Sequence, residues 1–284
     1  MIKFGGYIFT LIHLAGAFFP SALSATASFL TQISGHLAFA LFALLIARGA
    51  RRTSNHFLYF VRLLVSALVT EVILYTASKE LGLYFAGRNA LFTYAASIAL
   101  IAGLSMAIGC YQDLVAHAVP AGGEIDRKIL FGVPVNPGNY RMAPAMGIVL
   151  GLATAGLALF VTLFFNFSYG LFGLFYILLA FMAMREAASP QRPVIRNSIF
   201  STRGECGRAL LYLTALAAVA ILLSFVFISL RAKIPLSYLA TLTAIPLAAI
   251  LPEGRPLSPG VRRLPYAALP ALTGIFFLLR LIIR

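Results

Sequence analysis

Nine apolar runs, at about 4 to 19, 33 to 47, 57 to 77, 89 to 110, 142 to 165, 169 to 184, 209 to 230, 234 to 251 and 265 to 283, leave this chain few ways to fold. A bilayer helix needs about 20 mostly apolar residues, and hydrocarbon offers no water to satisfy a bare backbone, so such runs read as transmembrane α-helices. Some are short for a full span, the first two among them; these are expected to tilt, to draw on flanking residues or to lie partly at the interface. With 61% hydrophobic and only 11% charged residues, the chain lacks the polar surface of a soluble domain. The expected fold class is all-α: a polytopic transmembrane helical bundle of about nine membrane segments, forming a single integral membrane domain over residues 1 to 284.

A net charge of +14 raises nucleic acid as a partner, but the cations are scattered through short loops, where they set orientation, so no nucleic acid is expected. With a cytoplasmic amino terminus, one side receives Lys3, Arg48, Arg51, Arg52, Arg127, Lys128, Arg141, the arginines from 185 to 208, and Arg255, Arg262 and Arg263. The other receives Lys79, Arg88, Arg231, Lys233, Arg280 and Arg284. That imbalance implies an amino end inside, a carboxyl end outside and an odd number of spans. Lys3, the run to Phe19 and the small residues Ser21 to Ala25 also have the form of a cleavable signal peptide. They are read as a first helix because a second apolar run follows closely.

Trp is absent, so the interfacial aromatic belt falls to Tyr and Phe, such as Tyr7, Tyr59, Tyr84, Tyr169 and Tyr266. Cys110 and Cys206 have neither metal spacing nor a disulfide pattern. Residues 111 to 141 carry Pro and Gly turns that argue against a continuing helix. The basic stretch 185 to 208 is expected at cytoplasmic headgroups, with a phosphate-bearing cosubstrate as a second partner. Gly82, Gly87, Gly103 and Gly109, and the series Gly147, Gly151 and Gly156, are expected to allow close helix contact. No nucleotide-binding Gly loop, serine nucleophile elbow, HExxH or fixed-period repeat is present.

Within the run 57 to 77 stand two charges, Arg62 and Glu71. A charge in hydrocarbon costs roughly 2.5 to 3.5 kcal/mol even on the lenient insertion scale, so it persists when it faces protein, a partner or a wet cavity. Nine helical positions set the two about 13 Å apart on nearly opposite faces, which forbids direct neutralisation. Arg62 is close enough to the start of the run to snorkel, whereas Glu71 is deeper. Nearby runs add His13, His36, Asn89 and Thr93, and the expectation is one polar cavity among the first four helices. His13 suits a general base, since imidazole titrates near neutrality. Glu71 suits orienting a histidine or binding an amine, and Arg62 holding a carboxylate or phosphate.

The sequence Gly35-His36-Leu37-Ala38-Phe39-Ala40-Leu41-Phe42-Ala43, then Ala47-Arg48-Gly49 and Arg52-Thr53-Ser54-Asn55, then Tyr59-Phe60-Val61-Arg62-Leu63-Leu64 and Thr70-Glu71, follows a recognisable order and spacing. So do Asn89-Ala90-Leu91-Phe92-Thr93 and Tyr169-Gly170-Leu171-Phe172-Gly173. In these stretches the chain resembles the TraX family of integral membrane proteins, related to conjugative pilin acetylases and more broadly to transmembrane acyltransferases. The likeness covers about 90 contiguous residues and one later island, a TraX-like core of about 1 to 184, with divergent helices at about 209 to 284.

The resemblance implies acyl transfer from a thioester such as acetyl-CoA, a cosubstrate and not a bound cofactor, to an amine or hydroxyl at the inner membrane. The acceptor would be a pilin-like protein or a lipid. His13 and Glu71 become the catalytic candidates; Arg62, Asn89, Arg51 and Arg52 become candidates for binding substrate or donor, and no metal is implied. The chain departs from the family pattern at five places. Ile12 replaces the acid beside the histidine, His36 the arginine after the glycine, Ser168 the acid before Tyr-Gly, Leu269-Pro270-Ala271-Leu272 a histidine-containing motif, and Leu251-Pro252-Glu253-Gly254 a Tyr-Asn-Gly-like turn. Those losses also fit a non-catalytic scaffold subunit. A solute or lipid transporter using Glu71 is a third reading, although no inverted repeat is visible.

Overall fold

The computed structural model describes residues 2–85, 88–115, 125–126, 129–131, 133–134, 141–184, 199–200, 202–226, 236–251 and 264–283. The expectations for Gly87, Arg127 and Lys128, the basic residues from 185 to 196, Arg231 and Lys233, and 252 to 263 concern residues outside these. Among the described residues there are nine α-helices: α1 (Ile2–Phe18), α2 (Ala25–Arg52), α3 (His56–Leu81), α4 (Ala90–Val115), α5 (Pro144–Phe164), α6 (Gly170–Ala183), α7 (Arg203–Val226), α8 (Ala240–Ile250) and α9 (Leu264–Ile283). Six of them, α2, α3, α4, α5, α7 and α9, are long and apolar enough to cross a membrane. The helices α1, α6 and α8 are apolar but shorter. Between α4 and α5 the chain makes two small antiparallel pairings, Ile125–Asp126 with Arg141–Met142 and Ile129–Leu130 with Val133–Pro134.

Short polar side chains set where the helices begin. The first backbone N–H groups of a helix lack partners, and Ser, Asn and Thr supply them. Ser24 Oγ accepts from Ala27 N at 3.3 Å, Asn55 Oδ1 from Leu58 N at 2.9 Å and Asn89 Oδ1 from Leu91 N at 3.1 Å. Thr202 Oγ1 accepts from Glu205 N at 3.2 Å, at the head of α7. The cap at Ser24 starts α2 several residues before the apolar run at 33. Inside the helices, hydroxyls are satisfied locally: Thr10 donates to Gly6 O, Thr70 to Ser66 O and Thr162 to Ala158 O, each four residues back.

The chain forms two compact units. The first comprises residues 1–51, 66–86 and 175–284, and the second residues 52–65 and 87–174. In the first, Leu14, Phe18 and Ala77 make an apolar cluster to which α9 adds Phe276 and Phe277. The Phe18 ring lies 5.6 Å from that of Phe85 and 6.1 Å from that of Phe276. Tyr176 of α6 is wholly buried, donates to Thr241 O of α8 at 3.0 Å and packs on Phe39 of α2.

In the second unit, α4 and α5 run against each other at close range through Gly103 and Gly151, as the glycine spacing leads one to expect. Gly147 lies against Cys110 in the same seam. Gly82 and Gly156 do other work. Gly82, at φ +65°, follows the last residue of α3 with open space around it, the position where a left-handed residue ends a helix, and Gly156 likewise meets no neighbour.

Candidate functional site

Three glycines bring α1 and α2 together as an antiparallel pair in the first unit. A Cβ on Gly6 would lie 2.9 Å from the Phe42 ring, one on Gly16 would collide with Thr31, and one on Gly35 would lie 2.6 Å from Nδ1 of His13. The sums of the paired positions stay nearly constant along the two helices, which is the register of an antiparallel hairpin; the turn at Pro20–Ala22 closes it. Glycine at 35 is thus the seat of His13. The imidazole lies where any side chain on α2 would stand.

His13 Nδ1 is 3.1 Å from the carbonyl oxygen of Thr31. A carbonyl can only accept, so this bond places the proton on Nδ1 and leaves the lone pair on Nε2. With Ile12 before the histidine, no acid is adjacent in sequence, and a backbone carbonyl of α2 does the orienting. Thr31 Oγ1 itself donates to Ser28 O at 2.8 Å, and Ser34 Oγ donates to Thr31 O at 2.7 Å, so the accepting carbonyl is shared and held in place.

His36 follows the glycine on which the His13 ring rests. The Tyr238 ring meets its imidazole edge-on at 4.7 Å between centroids. Tyr238 is fixed in turn: its carbonyl accepts from Thr241 Oγ1 at 2.6 Å, and the Thr241 carbonyl accepts from Tyr176. Tyr176, Thr241 and Tyr238 are site residues that the sequence did not single out. The only signal was a tyrosine near the start of the run at 234.

The other candidates are placed as follows. Glu71 is half-buried along α3 and belongs to the same unit as His13 and His36. Arg62 belongs to the second unit and is exposed, on the helical face that also carries exposed Leu58, Val65 and Val69. That is the setting of a cation whose stem covers apolar surface while its head reaches the interface. Arg51 donates from Nε to Phe181 O at 2.9 Å and lays its guanidinium 3.7 Å over the Phe181 ring, at the carboxyl end of α6. Arg208 donates to Ala183 O at 3.2 and 3.1 Å on the same helix end, where unpaired carbonyls attract cations. Arg48 beside them is buried, and Arg52, in the second unit, is exposed.

Asn89 heads α4 in the second unit, where the stretches around 88–93 and 166–170 meet. Arg88 N donates to Asn166 O at 3.2 Å, and Ser168 N donates to Arg88 O at 2.9 Å. The Thr93 hydroxyl donates to Ser168 O, and Phe92 stacks on Phe167 with centroids 5.2 Å apart. Tyr169 and Gly170 take positive φ, 65° and 46°, to turn the chain into α6.

The chain matches no family model, no curated protein and no solved structure.

Proposed function

We propose that this chain is a nine-segment protein of the bacterial inner membrane, amino end inside and carboxyl end outside, that moves an acyl group from a thioester to an amine or hydroxyl. The supporting observation is the seat of His13. An imidazole with its Nδ1 proton committed to a backbone carbonyl presents Nε2 as a base. Nε2 takes the proton of the acceptor as the acceptor's nitrogen or oxygen attacks the thioester carbonyl. The carbon–sulfur bond then breaks, and the same proton passes to the departing thiolate. Acetyl-CoA fits the donor, and a pilin-like protein or a lipid fits the acceptor.

His36, beside the glycine that seats the base, and Tyr238, against His36, shape the acceptor's approach, while Glu71 positions the acceptor or a partner side chain. Arg52 and Arg62 meet the anionic headgroups of lipid. The likeness to the TraX family adds to this reading through His13, Gly35 and Glu71.

A second reading, a scaffold that has kept the family's fold and lost its chemistry, draws on Asn89 and Arg51. Both do structural work, one as a helix cap and one at the end of α6. Mass spectrometry of acyl groups on envelope lipids and secreted proteins separates the two. A deletion strain complemented with the wild-type chain should regain a modification that His13→Ala, at equal protein level, does not restore. Equal restoration by both chains rules out His13 as base, and no change on deletion favours the scaffold.

A further inference from the structure

The glycine seam holds α4 close to α5, whereas the first turns of α3, in the same unit, stand off from α4 and leave a cavity of about 420 Å³. Its floor is the run Ala95, Ala99 and Ala102 on α4, and the rings of Phe60, Phe92 and Phe167 wall it. Two polar residues border it, His56 and Thr154. The ring nitrogens of His56 are buried and the Thr154 hydroxyl donates to Leu150 O at 2.9 Å, so the surface offered to an occupant is hydrocarbon. Phe131 and Val133, from the pairing of Ile129–Leu130 with Val133–Pro134, add to the wall. Phe131 holds φ +48°, a conformation that a bulky residue rarely takes, and its side chain is built into the lining nonetheless.

Water does not fill such a space, because a buried water needs several polar partners, and apolar cavities stay dry and take up apolar molecules. Left empty, a void is destabilising in proportion to its volume. What surrounds the opening decides the occupant. The cavity is bordered by Phe57 of α3 and Leu157 of α5, 56% and 61% accessible, and both helices are long and apolar enough to cross a membrane. In a bilayer the cavity therefore opens sideways into hydrocarbon. The α4 residues share one face, which runs for about 15 Å from Phe92 to Ala102, so the volume corresponds to a cross-section of about 30 Å², the scale of one extended hydrocarbon chain.

We infer that the cavity holds one hydrocarbon chain of a membrane lipid, entering sideways between α3 and α5, with the headgroup left outside and unread. The site selects a tail and is indifferent to the charge above it. It rests on the transmembrane reading of α3, α4 and α5, lies in the other unit from His13 and is independent of acyl transfer.

The chain has no Trp, so a single introduced indole reports alone. In the full-length protein, held in detergent and stripped of lipid, Phe60→Trp places that indole in the cavity wall. Val149→Trp places it on the exposed face of α5, where Val149 is 65% accessible. The probe is an uncharged monoacylglycerol with a brominated chain. Quenching at Phe60→Trp should saturate, and adding Ala99→Leu, which fills the floor, should weaken it several-fold; at Val149→Trp quenching should only rise in proportion to the probe. In bilayers, phosphatidylcholine and phosphatidylglycerol with brominated chains should quench Phe60→Trp equally. Quenching without saturation at Phe60→Trp, saturation that survives Ala99→Leu, or a preference for one headgroup overturns the proposal. Should Phe60→Trp fail to fold, Phe167→Trp gives the same readout from another wall.

Discussion

Gly103 and Gly151 approach each other so closely that a Cβ on either would stand 2.6 Å from the carbonyl oxygen of the other. Backbone oxygen cannot swing aside as the end of a side chain can. In hydrocarbon, where no hydrophobic force draws two helices together, contact of this kind is what holds them. Gly151→Ala should therefore force α4 and α5 apart and cost about 1 to 3 kcal/mol, the usual range for overpacking. Gly156→Ala, on the same helix with open space around it, serves as the control. Thermal unfolding in detergent checks the pair: a fall at 151 and little change at 156.

A second consequence concerns the seat of the imidazole. Gly35→Ala places a methyl group 2.6 Å from Nδ1 of His13 and should tilt the ring off the Thr31 carbonyl. The ring then samples both tautomers. Nitrogen NMR of selectively labelled histidine reads this directly: one Nδ1-protonated signal for His13 in the wild-type chain, and a mixed population in Gly35→Ala. If the protein is an acyltransferase, that substitution lowers turnover without touching an acceptor contact.

Much of this architecture is legible in the chain. Among the described residues, helices fall close to the apolar runs, and six of them are long and apolar enough to cross a membrane, because an apolar run has few ways to satisfy its backbone away from water. The α4–α5 seam follows from small residues at four-residue spacing. The start of α2 was not legible from hydropathy, because Thr26, Ser28, Thr31 and Gln32 dilute it; the helix begins there through the cap at Ser24. The site divides in the same way. His13 announces itself as a polar residue in an apolar run, but nothing in the local sequence ties Tyr238 to His36, since that contact depends on how the segment before α8 packs. Nor does hydropathy distinguish Arg62 on an exposed face from an inward charge.

The junction of Thr93 with Ser168 makes a sharper test of how the start of α4 is tied to the turn before α6. Thr93 is wholly buried and its hydroxyl donates to the Ser168 carbonyl, 75 positions along the chain. Thr93→Val keeps the shape and removes the donor, leaving a carbonyl without that partner at a cost of about 1 to 3 kcal/mol. Thr93→Ser keeps the bond. Limited proteolysis should find the turn at 165 to 169 more accessible in Thr93→Val than in wild type, and unchanged in Thr93→Ser.

The end of α6 offers the last test, because two arginines from distant parts of the chain converge on it. Arg51 uses both faces of its chemistry, an Nε–H to Phe181 O and a flat cation over the Phe181 ring, and Arg208 closes Ala183 O with two donors. Lysine keeps the charge but has neither the planar fork nor the stacking surface. If charge alone mattered here, Arg51→Lys and Arg208→Lys would be neutral and only Gln would hurt. The geometry argues otherwise: Arg51→Lys should lower stability nearly as far as Arg51→Gln, by about 1 to 2 kcal/mol for a lost charged hydrogen bond together with its cation–π contact. Unfolding midpoints of the three proteins decide it, and a lysine variant as stable as wild type would reduce Arg51 to a topological charge at the membrane face.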